Sequence, residues 1–200
     1  MARGKLLVIS GPSGVGKSTA IAGVLSRHPD MYFSVSATTR PMREGDREGV
    51  TYLFRTRREF EELIRQDFFY EYAEYSGNYY GTPKTPVEER LDRGQDVILD
   101  IEAQGAFQIR RQCRDAVLVF LAAPMDVIEQ RLRGRGDTSE ADIQKRLKQA
   151  RWECAQAGEY DYLVLSDTPE RTVNDIDCIL SAEKLRTAGR LNLLELEENK

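Results

Sequence analysis

Histidine is nearly missing from this 200-residue chain, and cysteine is sparse and unpaired. The one histidine, His28, precedes Pro29 at the end of a helical stretch and lies outside every motif below, which suits a helix C-terminal cap better than a general base. The three cysteines, Cys113, Cys154 and Cys178, are odd in number and contain no Cys-x-x-Cys pair, so reduced thiols are expected rather than a zinc site or a disulfide framework. Long apolar runs are missing too. The longest, Ala116 to Met125, is too short to span a bilayer. Met-Ala-Arg-Gly-Lys leads straight into a four-residue apolar strand with no signal-peptide hydrophobic region, and a cytoplasmic location is expected. The net charge of −4 exerts no overall pull toward nucleic acid or an anionic membrane, so any anion site must be a local basic cluster.

What is present is an ordinary folded composition, 40% hydrophobic and 31% charged, without repeats or low-complexity tracts, and long enough for one substantial core. Lys5 to Ser10 reads as a buried strand running into a glycine-rich turn and a helix from about Lys17 to Arg27. Further apolar strands are expected at Val97 to Asp100, Ala116 to Leu121 and Tyr162 to Leu165, with helices between them. That alternation predicts an α/β fold, a parallel sheet covered by helices on both faces. Residues from about 34 to 87 break the rhythm. Thr51 to Phe54 and Phe69 to Tyr75 read as strands exposed on one face, the second alternating Phe69, Glu71, Ala73, Tyr75. Thr56-Arg57-Arg58-Glu59 is a capping box opening a helix to about Gln66. Thr85-Pro86-Val87-Glu88 reads as a second capping box, with Gly94 stopping its helix. The expected organisation is a core of about 1–33, 88–125 and 150–200, an α+β insertion of about 34–87, and a lid of about 126–149 around Gly134-Arg135-Gly136. The acidic, leucine-bearing tail from about Gly189 suits either a docking helix or a frayed end.

Gly11-Pro12-Ser13-Gly14-Val15-Gly16-Lys17-Ser18 matches G-x-x-x-x-G-K-[ST] between a strand and a helix. Glycines allow a tight turn whose N–H groups converge on one anion, and the helix adds its positive end. These eight residues and Thr19 are the expected ATP-binding set, with Lys17 reaching the outer phosphates and Ser18 ligating Mg²⁺. A GTPase should also carry a base-reading Asn-Lys-x-Asp, which is absent, and the lone Asp-x-x-Gly, Asp46 to Gly49, lies in the insertion.

The insertion carries Arg40 and Arg43 in a hydroxyl-rich loop beginning at Ser34, then Tyr52, Glu71 and Ser76-Gly77-Asn78-Tyr79-Tyr80-Gly81-Thr82. Paired guanidiniums match a phosphate dianion, and tyrosine hydroxyls can donate to its remaining oxygens. A carboxylate can accept from guanine N1 and its exocyclic amine, and would be left unpaired by adenine. At these residues the chain closely resembles the guanylate kinase family, through the intact phosphate loop, S-x-T-T-R-x-x-R and S-G-N-Y-Y-G in the family's order, over nearly the whole chain to about residue 184. The resemblance implies a phosphate clamp of Arg40, Arg43, Tyr52 and Tyr80. It implies guanine readers at Ser36, Glu71 and Thr82, the last standing where members often have Ser. Asp100 and Glu102 are implied near the metal and the acceptor. At the end of its strand Asp100 reads as a Walker-B-like carboxylate, with capping of the next helix as the lesser alternative. Arg131, Arg135 and Arg146 resemble lid arginines that meet the transferred phosphoryl group, while Arg133 and the arginines at 55, 57 and 58 are expected to face solvent. Where members often carry Asn-Asp near the adenine, this chain has Ser166-Asp167-Thr168.

The expected reaction is therefore transfer from ATP to GMP, with dGMP as a second acceptor, Mg²⁺ as cofactor, no nucleic acid or membrane partner, and monomer or homo-oligomer left open. A sugar-phosphate kinase of this fold would need neither Glu71 nor Thr82. A non-catalytic guanylate-kinase-like module that binds phosphorylated proteins usually has a degraded phosphate loop, whereas Lys17 and Ser18 are intact.

Overall fold

The computed structural model describes residues 3–75, 77–134 and 139–187; Ser76, Arg135 and the tail from residue 188 lie outside the described residues. Five strands, β1 (Leu6–Ser10), β2 (Tyr32–Phe33), β7 (Val97–Asp100), β8 (Val117–Ala122) and β9 (Tyr162–Leu165), form a parallel sheet in the order β2-β7-β1-β8-β9. Side chains alternate across it. Leu7, Ile9, Ile98, Val119 and Leu121 pack on one face against α1 (Lys17–Arg27), α5 (Met125–Arg133), α6 (Glu140–Ala155) and α7 (Pro169–Lys184). Leu6, Val8, Val97, Leu99 and Leu118 pack on the other against α3 (Lys84–Asp92) and α4 (Ala103–Gln112). Burial on both faces is why β1 reads as an unbroken apolar run.

A second sheet, ordered β4-β3-β6-β5, joins β3 (Ala37–Thr38), β4 (Leu53–Phe54), β5 (Phe69–Tyr75) and β6 (Asn78–Pro83). It has its own small core, in which Phe60 of α2 (Arg57–Arg65) stacks on Phe69 at 4.4 Å and on Tyr79 at 5.2 Å. The capping box that opens α2 is formed, Thr56 accepting from the Glu59 amide and Glu59 from the Thr56 amide.

Several expectations need correcting. The capping box at Thr85 does not form: α3 starts at Lys84, its N-cap is Pro83, and no side chain caps it. Strand pairing of β5 and β6 extends to Pro83 and carries the chain directly into the helix, which leaves Thr85 and Pro86 inside the first turn. Only Leu53 and Phe54 of the expected strand from Thr51 are extended, since Thr51 closes a turn onto Arg47. The half-exposed alternation along β5 is also overturned. Phe69, Tyr70 and Glu71 are all buried, because α2 covers one side and α4 the other. Strands β2, β3 and β6 carried no local signal. Among the described residues no helix is long and apolar enough to cross a membrane, and all three cysteines are free thiols.

Candidate active site

The phosphate loop bends between β1 and α1 with Gly11 at φ 147° and Gly16 at φ 107°. A Cβ on Gly11 would stand 2.4 Å from the Leu121 carbonyl oxygen, so glycine is required there. Gly16 is the N-cap of α1, with no side-chain cap and no acid in the first turn, which leaves the first amides for an anion. Lys17 Nζ donates to the Gly11 carbonyl at 2.6 Å and lies 3.8 Å from Glu102 Oε1. Ser18 and Thr19 are exposed at the mouth of the cleft.

The loop is braced from behind. The Val15 carbonyl accepts from Arg131 Nη1 at 2.8 Å and from Ser166 Oγ at 2.6 Å, and Arg131 Nη2 donates to the Ser166 carbonyl at 3.1 Å. Arg131 therefore ties α5 to the loop and to the end of β9. Ser166, which opens the Ser166-Asp167-Thr168 departure from the Asn-Asp pattern, turns its hydroxyl to the loop.

Asp100 ends β7 in register with Ile9, at the carboxyl end of the parallel strands beside the loop, where ligands of open α/β sheets bind. It does not cap the following helix, whose N-cap is Glu102. Burial raises the Asp100 pKa, with Lys17 opposing and Glu102 reinforcing. Loop, Asp100, Glu102, Arg131 and Arg146 line one cleft of about 600 Å³, joined by Tyr75 from the second sheet and Asp167 after β9. Glu153 was missed in the sequence. With Arg146 and Gln149 it follows i, i+3, i+7 spacing on one face of α6, and all three line the cleft. Its Oε1 accepts from Gln149 Nε2 at 3.0 Å, while Oε2 is enclosed without a partner. Burial and then Glu102 push its pKa up to about 7.

The second sheet sets a row of functional side chains across its strands. Glu71 of β5 pairs with Thr82 of β6, and Thr82 Oγ1 donates to Glu71 Oε1 at 2.7 Å. Ala37 pairs with Gly81 and with Leu53, and Ser36, just before the paired residues, accepts at its carbonyl from the Leu53 amide at 2.9 Å, which sets it on the side of Thr82 and Tyr52. Glu71 is 5% exposed, and burial raises its pKa to about 7. Arg40 sits over the Tyr52 ring, 5.3 Å from its centroid, and pairs with Asp46 at 2.9 Å. Asp46 also accepts from the Arg43 amide at 2.7 Å, which leads the influences that lower its pKa. In sequence Asp46 stands out only as the first residue of an Asp-x-x-Gly motif. Arg43 is exposed, and the Tyr52 and Tyr80 rings meet edge-on at 6.0 Å. Burial raises the Tyr52 pKa, and the charges acting on it include Asp100 across the gap.

Arg133 pairs with Glu129 and Glu140 on the surface, outside the cleft. Arg57 lies over the Tyr79 ring at 4.6 Å and pairs with Glu61, so it is less free than its spacing suggested. His28 caps α1 and meets Asp177 at 2.9 Å. The arrangement can hold a polyphosphate at the loop and a second anion at the arginines. It can also accept two hydrogen bonds at a buried carboxylate.

A family model described as guanylate kinase matches residues 3–183. A guanylate kinase of Synechococcus sp. (strain JA-3-3Ab) is 50% identical over 179 residues, covering 89% of this chain and 82% of that protein. One of Carboxydothermus hydrogenoformans is 48% identical over 187 residues, covering 93% and 92%. The crystal structure of guanylate kinase from Anaplasma phagocytophilum superposes with a TM-score of 0.80 at 32% identity, over 98% of this chain and 96% of that one.

Proposed function

Because the chain belongs to the guanylate kinase family, we propose a division of labour among its residues for moving a phosphoryl group between two nucleotides. The enzyme phosphorylates GMP to GDP at the expense of ATP. The phosphate-loop amides and Lys17 hold the donor. Lys17 exchanges the Gly11 carbonyl and Glu102 for phosphate oxygens, a local rearrangement supported by the closeness of both partners. Arg40, Arg43, Tyr52 and Tyr80 hold the acceptor phosphate, with Asp46 keeping Arg40 over the Tyr52 ring. Ser36, Glu71 and Thr82 read guanine.

The observation that carries this reading is the buried Glu71 carboxylate within a row of hydroxyls. A charge so placed is costly unless a ligand supplies donors, and guanine offers two. The GMP phosphate is already nucleophilic, so catalysis rests on alignment and charge neutralisation, with Arg131 and Arg146 facing the transferred group and Arg135 expected to join them. The Ser18 hydroxyl and Asp100 carboxylate are hard oxygen donors on one cleft and fit Mg²⁺, which takes one or two such ligands along with phosphate oxygens. When bound, Mg²⁺ neutralises charge between the donor phosphates. Residues of about 34–87 and 126–149 act as units that close over the core. The free thiols suit a reducing cytoplasm.

The test is ADP release from ATP and Mg²⁺ with GMP, dGMP, AMP, CMP and UMP in parallel. Turnover confined to the guanine nucleotides is expected. Folded protein that binds GMP yet turns over none of them would instead favour a binding module.

A further inference from the structure

Strand β5 is an edge of the second sheet, and the outward backbone groups of an edge strand need partners. Here they are met by a helix of the core. Gln108 of α4 bonds Tyr72 both ways, its Oε1 accepting from the Tyr72 amide at 3.2 Å and its Nε2 donating to the Tyr72 carbonyl at 2.9 Å, as a neighbouring strand would. One turn on, Gln112 Nε2 donates to the Tyr70 carbonyl at 2.6 Å. Glu71 lies between these two residues, so its backbone is pinned on either side.

The same helix face also touches the Glu71 carboxylate. Three residues before Gln108 stands Gly105, buried, where a Cβ would come within 2.6 Å of Glu71 Oε2 and 3.0 Å of its Cδ. The backbone of Gly105 is helical and needs no glycine for its own sake, because its φ is not positive. What requires glycine is the space taken by the carboxylate. Thr82 holds Oε1 from the opposite side. The helix begins at Glu102, which faces Lys17 in the donor cleft. One rigid element therefore runs from the phosphoryl site to the carboxylate of the second sheet.

We propose that the face of α4 carrying Gly105, Gln108 and Gln112 determines guanine specificity, by fixing the position of Glu71 relative to the phosphoryl site. The three are positioning residues. They touch Glu71 or its neighbours, and act on the base only through it. The proposal rests on the reading of Glu71 as the acceptor for guanine N–H groups. If the face serves packing alone, its loss should lower the folded fraction and leave the affinities of the two nucleotides in their original ratio. If it positions Glu71, its loss should weaken GMP selectively, since two hydrogen bonds to one carboxylate tolerate little displacement.

The experiment compares Gly105→Ala, the double variant Gln108→Ala/Gln112→Ala, and Glu71→Gln in the full chain. Its readouts are calorimetric GMP affinity, KM for ATP, kcat at saturating GMP, and thermal unfolding. Gly105→Ala should weaken GMP roughly ten-fold or more, and the double variant about three- to ten-fold, with KM for ATP unchanged within about two-fold. Unaltered GMP affinity in folded Gly105→Ala, or equal weakening of both nucleotides, overturns the proposal. Should Gly105→Ala fail to fold, the double variant decides by the same criterion. Should that fail as well, Gln108→Ala alone decides, because Gln108 is only partly buried. Glu71→Gln separates the two levels of the argument. If it leaves GMP binding intact, the reading of Glu71 falls and the proposal with it. If it weakens GMP while the α4 variants do not, the proposal alone falls.

Discussion

Glu71 carries a conflict between stability and function. Burial raises its pKa from 4.5 to about 7, so between those values the folded state keeps a proton that the unfolded chain has released. Stability of the free enzyme should therefore fall as pH rises through that window and level off above it, by up to about 3 kcal/mol for this group. Glu71→Gln removes the ionisable group. In urea unfolding at pH 8 it should be more stable than the parent, while kcat/KM for GMP falls roughly 100-fold or more. A parent no less stable than the variant at pH 8 would contradict the burial argument. Guanine N–H donors favour the ionised carboxylate, so GMP binding near pH 7 should release a proton, seen as a buffer-dependent binding enthalpy in calorimetry. The importance of Glu71 was legible from sequence, because a carboxylate among hydroxyls and arginines suits guanine. Its burial was not, since α4 reaches it from a distant part of the chain and the register of β6 sets Thr82 against it.

Among the elements, local and distant signals divide cleanly. The capping box of α2 and the stop at Gly94 were readable because neighbouring residues make their own hydrogen bonds. The false capping box at Thr85 shows the limit of that logic: pairing of β5 with β6 set the start of α3 and overrode the local motif. The brace behind the phosphate loop is likewise tertiary, joining α5, the loop and the end of β9. Arg131→Ala and Ser166→Ala should each raise KM for ATP several-fold and leave KM for GMP within about two-fold, since both brace the donor loop, and Arg131→Ala should also lower kcat, because Arg131 lines the cleft as well. The double variant should exceed the product of the single effects, because each residue is a fallback partner for the Val15 carbonyl. Steady-state kinetics of the three variants would check this, and a rise in KM for GMP alone would refute it.

At the scale of the whole molecule, the residues proposed for the acceptor lie in and beside one sheet, and the phosphate loop follows a strand of the other. The second sheet has its own aromatic core, and α4 joins it to the first. Transfer without a covalent intermediate requires both phosphates to meet in a space closed to water. Addition of a bisubstrate analogue should therefore reduce the radius of gyration in solution scattering, whereas either nucleotide alone should do so less. An unchanged radius with the analogue bound would argue that the sites are already closed. Arg40 is expected to remain over the Tyr52 ring throughout, since Asp46 holds it from within the same loop between β3 and β4.

The chain by itself determined the phosphate loop, the parallel core and a site for a second phosphate, while the choice of guanine leaned on the resemblance to the guanylate kinase family. The first three depend on residue types at short, readable spacings: glycines before a helix, apolar runs between turns, paired arginines in one loop. Tertiary structure alone decided that Ser36, Thr82 and Glu71 form a row, and that Arg131 and Ser166 brace the loop. It also decided that Glu153 lines the cleft and that Gly105 makes room for a carboxylate. Most of these contacts join residues more than thirty positions apart, and the Glu71–Thr82 pair depends on the register of adjacent strands. Such contacts arise from strand register and helix docking, which no short window of sequence encodes.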